Sequence, residues 1–298
     1  MSQCGVHCVR GYIDHDDCRK CSADPLHPCG LTPDVLEGMR EDPNSRHADP
    51  DAFSPSMLLD CDRRAALTMG HDWYIDIESG WKMLRGTMVH ALIQDYRYPG
   101  AVGVIRETEM ETTIQTAYGP QRMTGQPDVV VVKRLYHNGE GLHAVVGIID
   151  YKSTGEIGHD LVEAKRDHQR QINFYAWLVR RWLPEHYHAE KMTVEVDEIT
   201  IQYLDFKKFR RFTSAGPLQA KGKRLNRSAP YQYETLDLAP LVLYPDDVVE
   251  ANIRLMIEAK LEARETLPPA YEPGDEDYWR CMFCPVREMC GELTERGI

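Results

Sequence analysis

The stretch GIIDYKSTGE, residues 147–156, combines the pattern of a buried strand with two opposite charges. The residues before the acid are small or apolar, as in a strand that is covered on both faces of a sheet. Asp150 and Lys152 lie two positions apart, so their side chains share one face of that strand. The stretch therefore predicts a sheet strand that carries an acid and a base side by side.

A second acid, Asp128 in the tetrapeptide GQPD, lies on the preceding predicted strand. A turn centred on Gly139 would place Asp128 directly opposite Asp150. A loop of three or five residues gives this pairing, whereas a two-residue loop shifts it by one residue and puts the acids on opposite faces. The hairpin therefore predicts two neighbouring carboxylates, on condition that the register holds.

Two carboxylates held that close repel each other unless a cation neutralises them. Magnesium commonly takes one or two protein carboxylates and completes its coordination with water and phosphate oxygens. A water acidified by the metal could attack phosphorus, while Lys152 stabilises the developing charge or orients the water. The alternative is a cross-strand salt bridge of Lys152 with Asp128 or Asp150.

The helices on either side of the predicted sheet supply further candidate residues. His90, in GTMVHALIQDY, lies on an amphipathic helix before the sheet. Gln171 and Tyr175 are four residues apart and share one face of the helix that follows it. Taken singly, His90 could be an ordinary core or surface residue, and Tyr175 could serve packing alone.

The periodicity of the main body predicts the order α, β, β, β, α, β with two extra helices. The predicted helices are SPSMLLDCDRRAALTM, capped by Ser54, and residues 80–98, 160–182 and 245–265. The predicted strands are residues 102–118, 122–135, 143–152 and TVEVDEITIQYL, residues 193–204. These elements indicate an α/β fold.

Together these motifs resemble those of the PD-(D/E)XK nuclease superfamily, and within it the RecB-like exonucleases, over roughly residues 54–290. The resemblance implies a restriction-endonuclease-like core, in which helices flank a mixed central sheet. It also implies a site that binds magnesium or manganese through His90, Asp128 and Asp150, with Lys152, Gln171 and Tyr175 as further catalytic residues.

Cys281, Cys284 and Cys290 form a C-x2-C-x5-C pattern near the end of the chain, and Cys61 lies far upstream. Four cysteines could hold a zinc ion or an iron-sulfur cluster, and the spacing leaves both open. The pattern resembles the iron-sulfur subset of RecB-like nucleases, including AddB-type and CRISPR-associated relatives, which implies a 4Fe-4S cluster. Such a cluster would clasp the first helix to the tail, residues 278–298.

Residues 1–50 are rich in cysteine and histidine and lack the apolar periodicity that a core requires, whereas residues 51–298 read as the nuclease domain. Nine cysteines, an odd number clustered at the two ends, favour metal ligands over disulfides. Cys8, Cys18, Cys21 and Cys29 could form a zinc site, with Cys4 or a histidine as a substitute ligand. The alternative is a mobile arm with unliganded cysteines.

The formal net charge of -12 argues against nonspecific coating of nucleic acid. Residues 206–227 reverse this charge locally, because they contain basic side chains and no acid. The basic residues are Lys207, Lys208, Arg210, Arg211, Lys221, Lys223, Arg224 and Arg227. With Phe206, Phe209 and Phe212 available for stacking, the segment could bind DNA, or it could simply face water.

The expected activity is a metal-dependent DNA exonuclease that acts on single-stranded ends in recombination, replication or DNA processing, with 5′ to 3′ polarity favoured by the resemblance. Protein partners in such a complex are an open expectation. The alternative is a catalytically silent DNA-binding or scaffold protein. No apolar run long enough for a membrane span and no secretion signal is seen in the sequence, so a cytoplasmic location is expected.

Overall fold

The computed structural model of the chain describes residues 3–8, 11–22, 51–70, 73–76, 84, 86–88, 90, 97–153, 162–189, 191–204, 209–215, 219–220, 236–273, 275, 281, 284, 286–287 and 289–291. The chain divides into two compact units. The first comprises Met1–Phe53, Asp60–Ala91 and Met256–Ile298, and the second comprises Ser54–Leu59 and Leu92–Leu255.

The described regular elements are helices and strands in mixed order along the chain. The helices are α1 (His15–Ser22), α2 (Pro55–Leu58), α3 (Asp62–Gly70), α4 (Arg166–His186) and α5 (Asp246–Glu265). The strands are β1 (Gln3–Cys8), β2 (Gly11–Asp14), β3 (Ala52–Phe53), β4 (Trp73–Asp76), β5 (Gly103–Arg106), β6 (Met110–Thr116), β7 (Gly119–Gly125), β8 (Val129–His137), β9 (Leu142–Ser153), β10 (Met192–Leu204), β11 (Phe209–Thr213), β12 (Gln219–Ala220) and β13 (Leu236–Asp237).

A five-stranded mixed sheet of order β11-β10-β9-β8-β5 forms the centre of the second unit. β9 is parallel to β10 and antiparallel to β8, which confirms a mixed α/β architecture. The apolar runs of β8 and β9 are almost continuously buried, as expected for strands covered on both faces. α4 packs against β9 and β10, and residues along it such as Ile172, Trp177 and Leu178 are fully buried. The sheet and α4 therefore form the frame that holds the candidate site.

At the end of the β8–β9 hairpin that carries the candidate site, the strands have the predicted register. The loop length is not what produces it. Its loop contains four residues, between the paired His137 and Leu142, and this loop alone would offset the pairing by one residue. A bulge at Lys133 restores the register, so that Val129 pairs with Ile149. Continuing that register by one residue places Asp128 opposite Asp150.

An ion pair crosses β9 between two irregularities in the neighbouring strands. Lys133 is the extra residue of β8, and Asp197 is the extra residue of β10. Lys133 Nζ lies 2.9 Å from Asp197 Oδ1 and 3.0 Å from Glu198 Oε2. A Cβ atom on Gly147 would lie 2.9 Å from Lys133 Cε, so the glycine makes room for this crossing. Burial works against charge here, but the hydrogen bonds outweigh it, so the pKa of Lys133 is raised and that of Glu198 is lowered.

The single helix predicted after Ser54 is wrong, because the structure has two helices there. Ser54 does cap the first, since its Oγ accepts the Met57 N–H at 3.2 Å. The helix then stops, and the Asp60 side chain accepts the Cys61 N–H at 2.9 Å. Ala65 N–H donates to the Cys61 carbonyl, so Cys61 lies at the start of α3 instead of inside a continuous helix.

Two of the predicted strands are each divided in the structure. Residues 102–118 become β5 and β6, with a break at Glu107, whose φ is +40°. Residues 122–135 fall on β7 and β8, separated by residues 126–128, where Pro127 cannot donate a backbone hydrogen bond. Both breaks lead the chain out of the central sheet into the β6–β7 hairpin and back.

The remaining predicted elements are present with shifted ends. The helix predicted at 160–182 is α4, the helix at 245–265 is α5, and the strand at 193–204 is β10. In the range 80–98, residues 84, 86–88 and 90 are helical and residues 97–98 are not, and the rest lies outside the described residues. No helix in the described ranges combines the length and apolar character needed to cross a membrane.

Candidate active site

Asp128 and Asp150 meet at the end of the β8–β9 hairpin. Asp128 directly precedes β8, and its Oδ2 accepts the backbone N–H of Tyr151 at 2.6 Å. Asp150 lies on β9 with only 1% of its surface exposed. The hydrogen bond from Tyr151 therefore holds the Asp128 carboxylate against β9, beside the buried acid.

Lys152 begins a chain of side-chain hydrogen bonds that runs from β9 to α4. Its Nζ donates to Asp150 Oδ1 at 3.1 Å and to Gln171 Oε1 at 2.8 Å. Gln171 Nε2 in turn donates to the Tyr175 hydroxyl at 3.1 Å. The salt bridge considered as an alternative is thus present as one link of this chain. The structure brings together all five residues predicted around the D-x-K motif, including Asp128.

Tyr175 is held as a protonated phenol. Its burial, together with the negative charges of Asp150 and Asp128, raises its pKa far above the usual value. Gly125, the first residue of GQPD, explains why the helix comes so close to the sheet. A Cβ there would lie 2.8 Å from Leu178 Cδ2 and 3.3 Å from Tyr175 Cε1, so glycine lets α4 contact the end of β7 without displacing these side chains.

The donor set fits a hard divalent cation that is coordinated largely by water. Asp150 Oδ2 is buried and has no hydrogen bond of acceptable geometry, although Lys152 Nζ lies 2.9 Å away. A buried carboxylate oxygen in this state is a suitable ligand for a cation. Within the described ranges, no three His, Cys, Asp or Glu side chains form a ready metal-ligand group. Two carboxylates still suffice for magnesium, because waters and substrate oxygens fill its other positions.

His90 is helical and half-buried, and it belongs to the first compact unit. Its role as a metal ligand stays a prediction.

All four predicted cluster ligands line one cavity in the first unit. These residues are Cys61, Cys281, Cys284 and Cys290. Burial, followed by the neighbouring Cys61 and Cys290, raises the pKa of Cys281, and burial raises that of Cys284 to about 11. Ionisation of the Cys281 and Cys284 thiols is therefore favoured by a positive partner nearby.

Arg63 supplies a positive charge at this cavity. Its side chain is 2% exposed, and Nε lies 3.1 Å from Cys290 Sγ. Nη1 donates to the Pro268 carbonyl at 2.6 Å. Arg63 thus links the start of α3 to the segment that carries the C-terminal cysteines.

The N-terminal cysteines are only partly described. Cys18 is buried and Cys21 is half-buried on α1, whereas Cys8 lies in β1. Cys29 lies outside the described residues, as does His27. A zinc site here stays a prediction.

The basic segment is described only around β11. Arg211 is exposed and lies 3.6 Å from Glu198, and Arg210 is paired with Tyr203 across β10–β11. The expectation that Phe212 is available to stack on bases is wrong, because it is 1% exposed and packs edge-on against the Tyr203 ring. The DNA-binding role stays a prediction for the basic residues; those outside the described ranges are Lys207, Lys208, Lys221, Lys223, Arg224 and Arg227.

Two residues beside the site escaped the sequence analysis, namely His168 and Tyr203. His168 Nδ1 lies 2.8 Å from the Tyr203 hydroxyl, which also accepts the Lys165 N–H at 3.0 Å. Burial, followed by the charges of Lys152 and Lys165, lowers the pKa of His168 to about 3. The available signal was the spacing, because His168 precedes Gln171 by three residues and so lies on the same side of the helix.

Comparison with known proteins shows which family has a sequence like that of this chain. Residues 79–291 match the PD-(D/E)XK nuclease superfamily. A solved structure titled "Crystal structure of SSO0001" is similar at 12% identity, with a TM-score of 0.48, covering 87% of this chain and 94% of that one. No curated protein matches the sequence. The family match spans more than half of the chain and includes the carboxylates, the lysine and the α4 residues described above, so the chain belongs to the PD-(D/E)XK nuclease superfamily.

Proposed function

We propose that this protein is a magnesium- or manganese-dependent deoxyribonuclease of the RecB-like type, acting as an exonuclease on single-stranded DNA ends with 5′ to 3′ polarity. Members of the superfamily generally hydrolyse phosphodiester bonds, so a nuclease reaction follows from the family. The observation that carries the proposal is Asp150, a fully buried carboxylate beside Asp128, whose Oδ2 has Lys152 Nζ at 2.9 Å but no hydrogen bond of acceptable geometry. A scaffold protein would have no need of such a costly arrangement.

The residues of the site have separate roles in the proposed phosphodiester hydrolysis. Asp128 and Asp150 would hold the metal, with His90 as a further ligand. The metal, when bound, supplies an acidified water and neutralises charge on the phosphate. The Lys152 ammonium, fixed by Asp150 and Gln171, stabilises negative charge that develops on the phosphate oxygens.

Gln171 and Tyr175 position the reacting groups. Both ends of the Gln171 amide are engaged, because Oε1 accepts from Lys152 and Nε2 donates to Tyr175. This fixes the ammonium in one place before substrate arrives, which is what catalysis by positioning requires. Tyr175 retains its proton and can donate it in a hydrogen bond to an anionic oxygen.

We also propose that Cys61, Cys281, Cys284 and Cys290 hold a 4Fe-4S cluster. Four thiols at one cavity provide the right number of ligands. The buried Arg63 guanidinium at the Cys290 sulfur is compatible with this, because a positive charge beside a thiolate-bound cluster is electrostatically favourable. Anaerobically purified protein is then expected to be brown and to contain iron and sulfide. A colourless protein that contains zinc would reject the cluster.

The broader setting rests on the resemblance alone. We propose a cytoplasmic protein that acts in recombination, replication or DNA processing, together with protein partners. We propose in addition that Cys8, Cys18, Cys21 and Cys29 bind zinc near the N-terminus, and that the basic segment contacts the DNA strand.

An assay on end-labelled DNA tests the activity. Purified protein with magnesium or manganese is expected to degrade single-stranded DNA from an end, and Asp150→Ala is expected to abolish this. Lys152→Ala should lose roughly 10²- to 10³-fold in kcat, the usual effect of removing one group that stabilises transition-state charge. Asp247→Asn, an exposed acid on α5, is the matched control. Equal activity in the wild type and Asp150→Ala would reject the proposed function, and oligonucleotide products from internal cuts would reject an exonuclease.

A further inference from the structure

His168 and Tyr203 form a second pair beside the Lys152–Gln171 pair. In the parallel β9–β10 register, Tyr203 is the partner of Lys152, so their side chains lie on one face of the sheet, on neighbouring strands about 4.8 Å apart. α4 covers this face, and His168 lies one turn before Gln171. Gln171 thus contacts Lys152 on one strand, while His168 contacts Tyr203 on the next.

The hydrogen bonds of Tyr203 fix the tautomer of His168. The tyrosine is 0% exposed, and its oxygen already accepts the Lys165 N–H. Its own hydrogen therefore needs an acceptor, and His168 Nδ1 at 2.8 Å is the one acceptor in reach among the described side chains. Since Nδ1 accepts, the hydrogen of the neutral imidazole resides on Nε2.

The imidazole is kept neutral, and the phenol is kept protonated. Burial, with the charges of Lys152 and Lys165, lowers the pKa of His168 to about 3. For Tyr203, burial raises the pKa, the bond from Lys165 opposes this, and the charge of Asp150 adds to the increase. A neutral Nε2–H cannot bind a metal ion or remove a proton, but it can donate a hydrogen bond.

This donor is not used within the described part of the chain. No hydrogen bond of His168 Nε2 to another described residue is formed, and the side chain is only half-buried. It lies beside the Lys152 ammonium and near the exposed Lys165, so the surroundings favour an anion. The DNA backbone offers such an anion.

We propose that His168 Nε2 donates a hydrogen bond to a backbone phosphate oxygen of the bound DNA strand, next to the phosphate that Lys152 contacts. The proposal rests on the proposed nuclease function and adds a substrate-contacting residue to that site. Tyr203 acts through His168, by presenting the correct tautomer, and is a positioning residue.

Two substitutions separate the contact from the fold. His168→Gln places an amide N–H close to the position of Nε2, whereas His168→Asn places it near Nδ1. We expect His168→Asn to lose about tenfold in kcat/KM on single-stranded DNA, the value of one hydrogen bond to a charged group, and His168→Gln to stay within about threefold of the wild type. Tyr203→Phe should show a smaller loss than His168→Asn.

Oligonucleotides with a single methylphosphonate locate the contact, because each replaces one charged phosphate oxygen by a methyl group. In the wild type, one such position near the cleaved bond should weaken cleavage by about tenfold. In His168→Asn that same position should cost nothing further, while other positions keep their effects. Binding of the same oligonucleotides with calcium, measured by fluorescence anisotropy, should show the same pattern without cleavage.

His186→Asn is the matched control, since His186 is exposed and lies about 27 Å further along α4. It should leave every methylphosphonate effect unchanged. The proposal would be overturned if the loss of cleavage in His168→Asn added to the methylphosphonate effect at every position. It would also be overturned if His168→Gln were no more active than His168→Asn. A wild type that binds these DNAs with the predicted pattern but does not cleave would reject the nuclease function and retain the contact.

Discussion

The carboxylate site of the second unit and the cysteine cavity of the first unit are built in opposite ways. In the carboxylate site, Asp150, Lys152, Gln171 and Tyr175 are joined to one another by hydrogen bonds. The four cysteines share a cavity, and the hydrogen bonds described for their thiols are with Arg63 and the Val286 backbone instead of with one another. Hydrogen bonds within the protein hold the carboxylate site in place. A metal bound there would therefore contribute mainly to catalysis. If the four cysteines hold the proposed cluster, the cluster would link segments that are distant in sequence, and its main effect would be on stability.

The largest effect should come from removing one cluster ligand. A link from Cys61 to Cys281 closes a loop of about 220 residues, so Cys61→Ser should lower the free energy of unfolding by about 5 kcal/mol. Catalysis per folded molecule should change little. Denaturant unfolding under anaerobic conditions measures the first quantity, and single-turnover cleavage at low temperature measures the second.

The control for this prediction is Asp247→Asn, an exposed acid on α5 that is not among the residues lining the cavity. It should leave the visible absorbance of the protein intact. If Cys61→Ser unfolded at the same denaturant concentration as the wild type, the proposal that a cluster links α3 to the C-terminal cysteines would be wrong.

A smaller effect is expected at the ion pair that accompanies the register of the carboxylate site. Lys133→Met keeps the aliphatic stem but removes the bonds to Asp197 and Glu198. Because these side chains are partly exposed, we expect a loss of about 1–2 kcal/mol in unfolding free energy. Misplacement of Asp128 relative to Asp150 should lower kcat by about tenfold.

Unfolding curves and kcat measurements on Lys133→Met and Gly147→Ala test this, since a Cβ at Gly147 displaces the same lysine. Lys20→Met, which removes an exposed pair with Asp17, should change neither quantity. A destabilised Lys133→Met with wild-type kcat would show that the bulge keeps its register without the ion pair.

The effect that is smallest near neutral pH, because it develops only below pH 6.5, concerns the pH dependence of stability at His168. Burial, with Lys152 and Lys165, lowers its pKa from 6.5 to about 3 in the folded protein. Between these values the unfolded chain binds a proton that the folded protein does not bind at Nε2 or Nδ1. The stability that His168 contributes is therefore complete above pH 6.5 and is lost as the pH falls towards 3.

Urea unfolding of the wild type and of His168→Gln at several pH values across this window tests the sign. The stability advantage of the wild type over the variant should shrink as the pH falls. His186→Gln should show the same pH dependence as the wild type. Parallel stability curves for the wild type and His168→Gln would contradict the half-buried, neutral imidazole.

The sequence predicts the five residues that the structure brings together at the carboxylate site. It predicts the wrong loop length for the hairpin that aligns them. The register at Asp128 was predicted from a loop of three or five residues, and the loop has four. The bulge at Lys133 corrects the difference, and its partner Asp197 lies on a strand that is distant in sequence. No local pattern signals a bulge that is matched by one on another strand.

The sequence by itself determined which residues share a face: Asp150 with Lys152 through the two-residue period of a strand, and Gln171 with Tyr175 through the turn of a helix. Local periodicity is enough for this, because it depends only on backbone geometry within one element. The tertiary structure alone decided that Tyr203 lies beside Lys152 and that His168 contacts it. Such neighbours are set by the parallel register of β9 and β10 and by the packing of α4, which join residues that no local repeat connects.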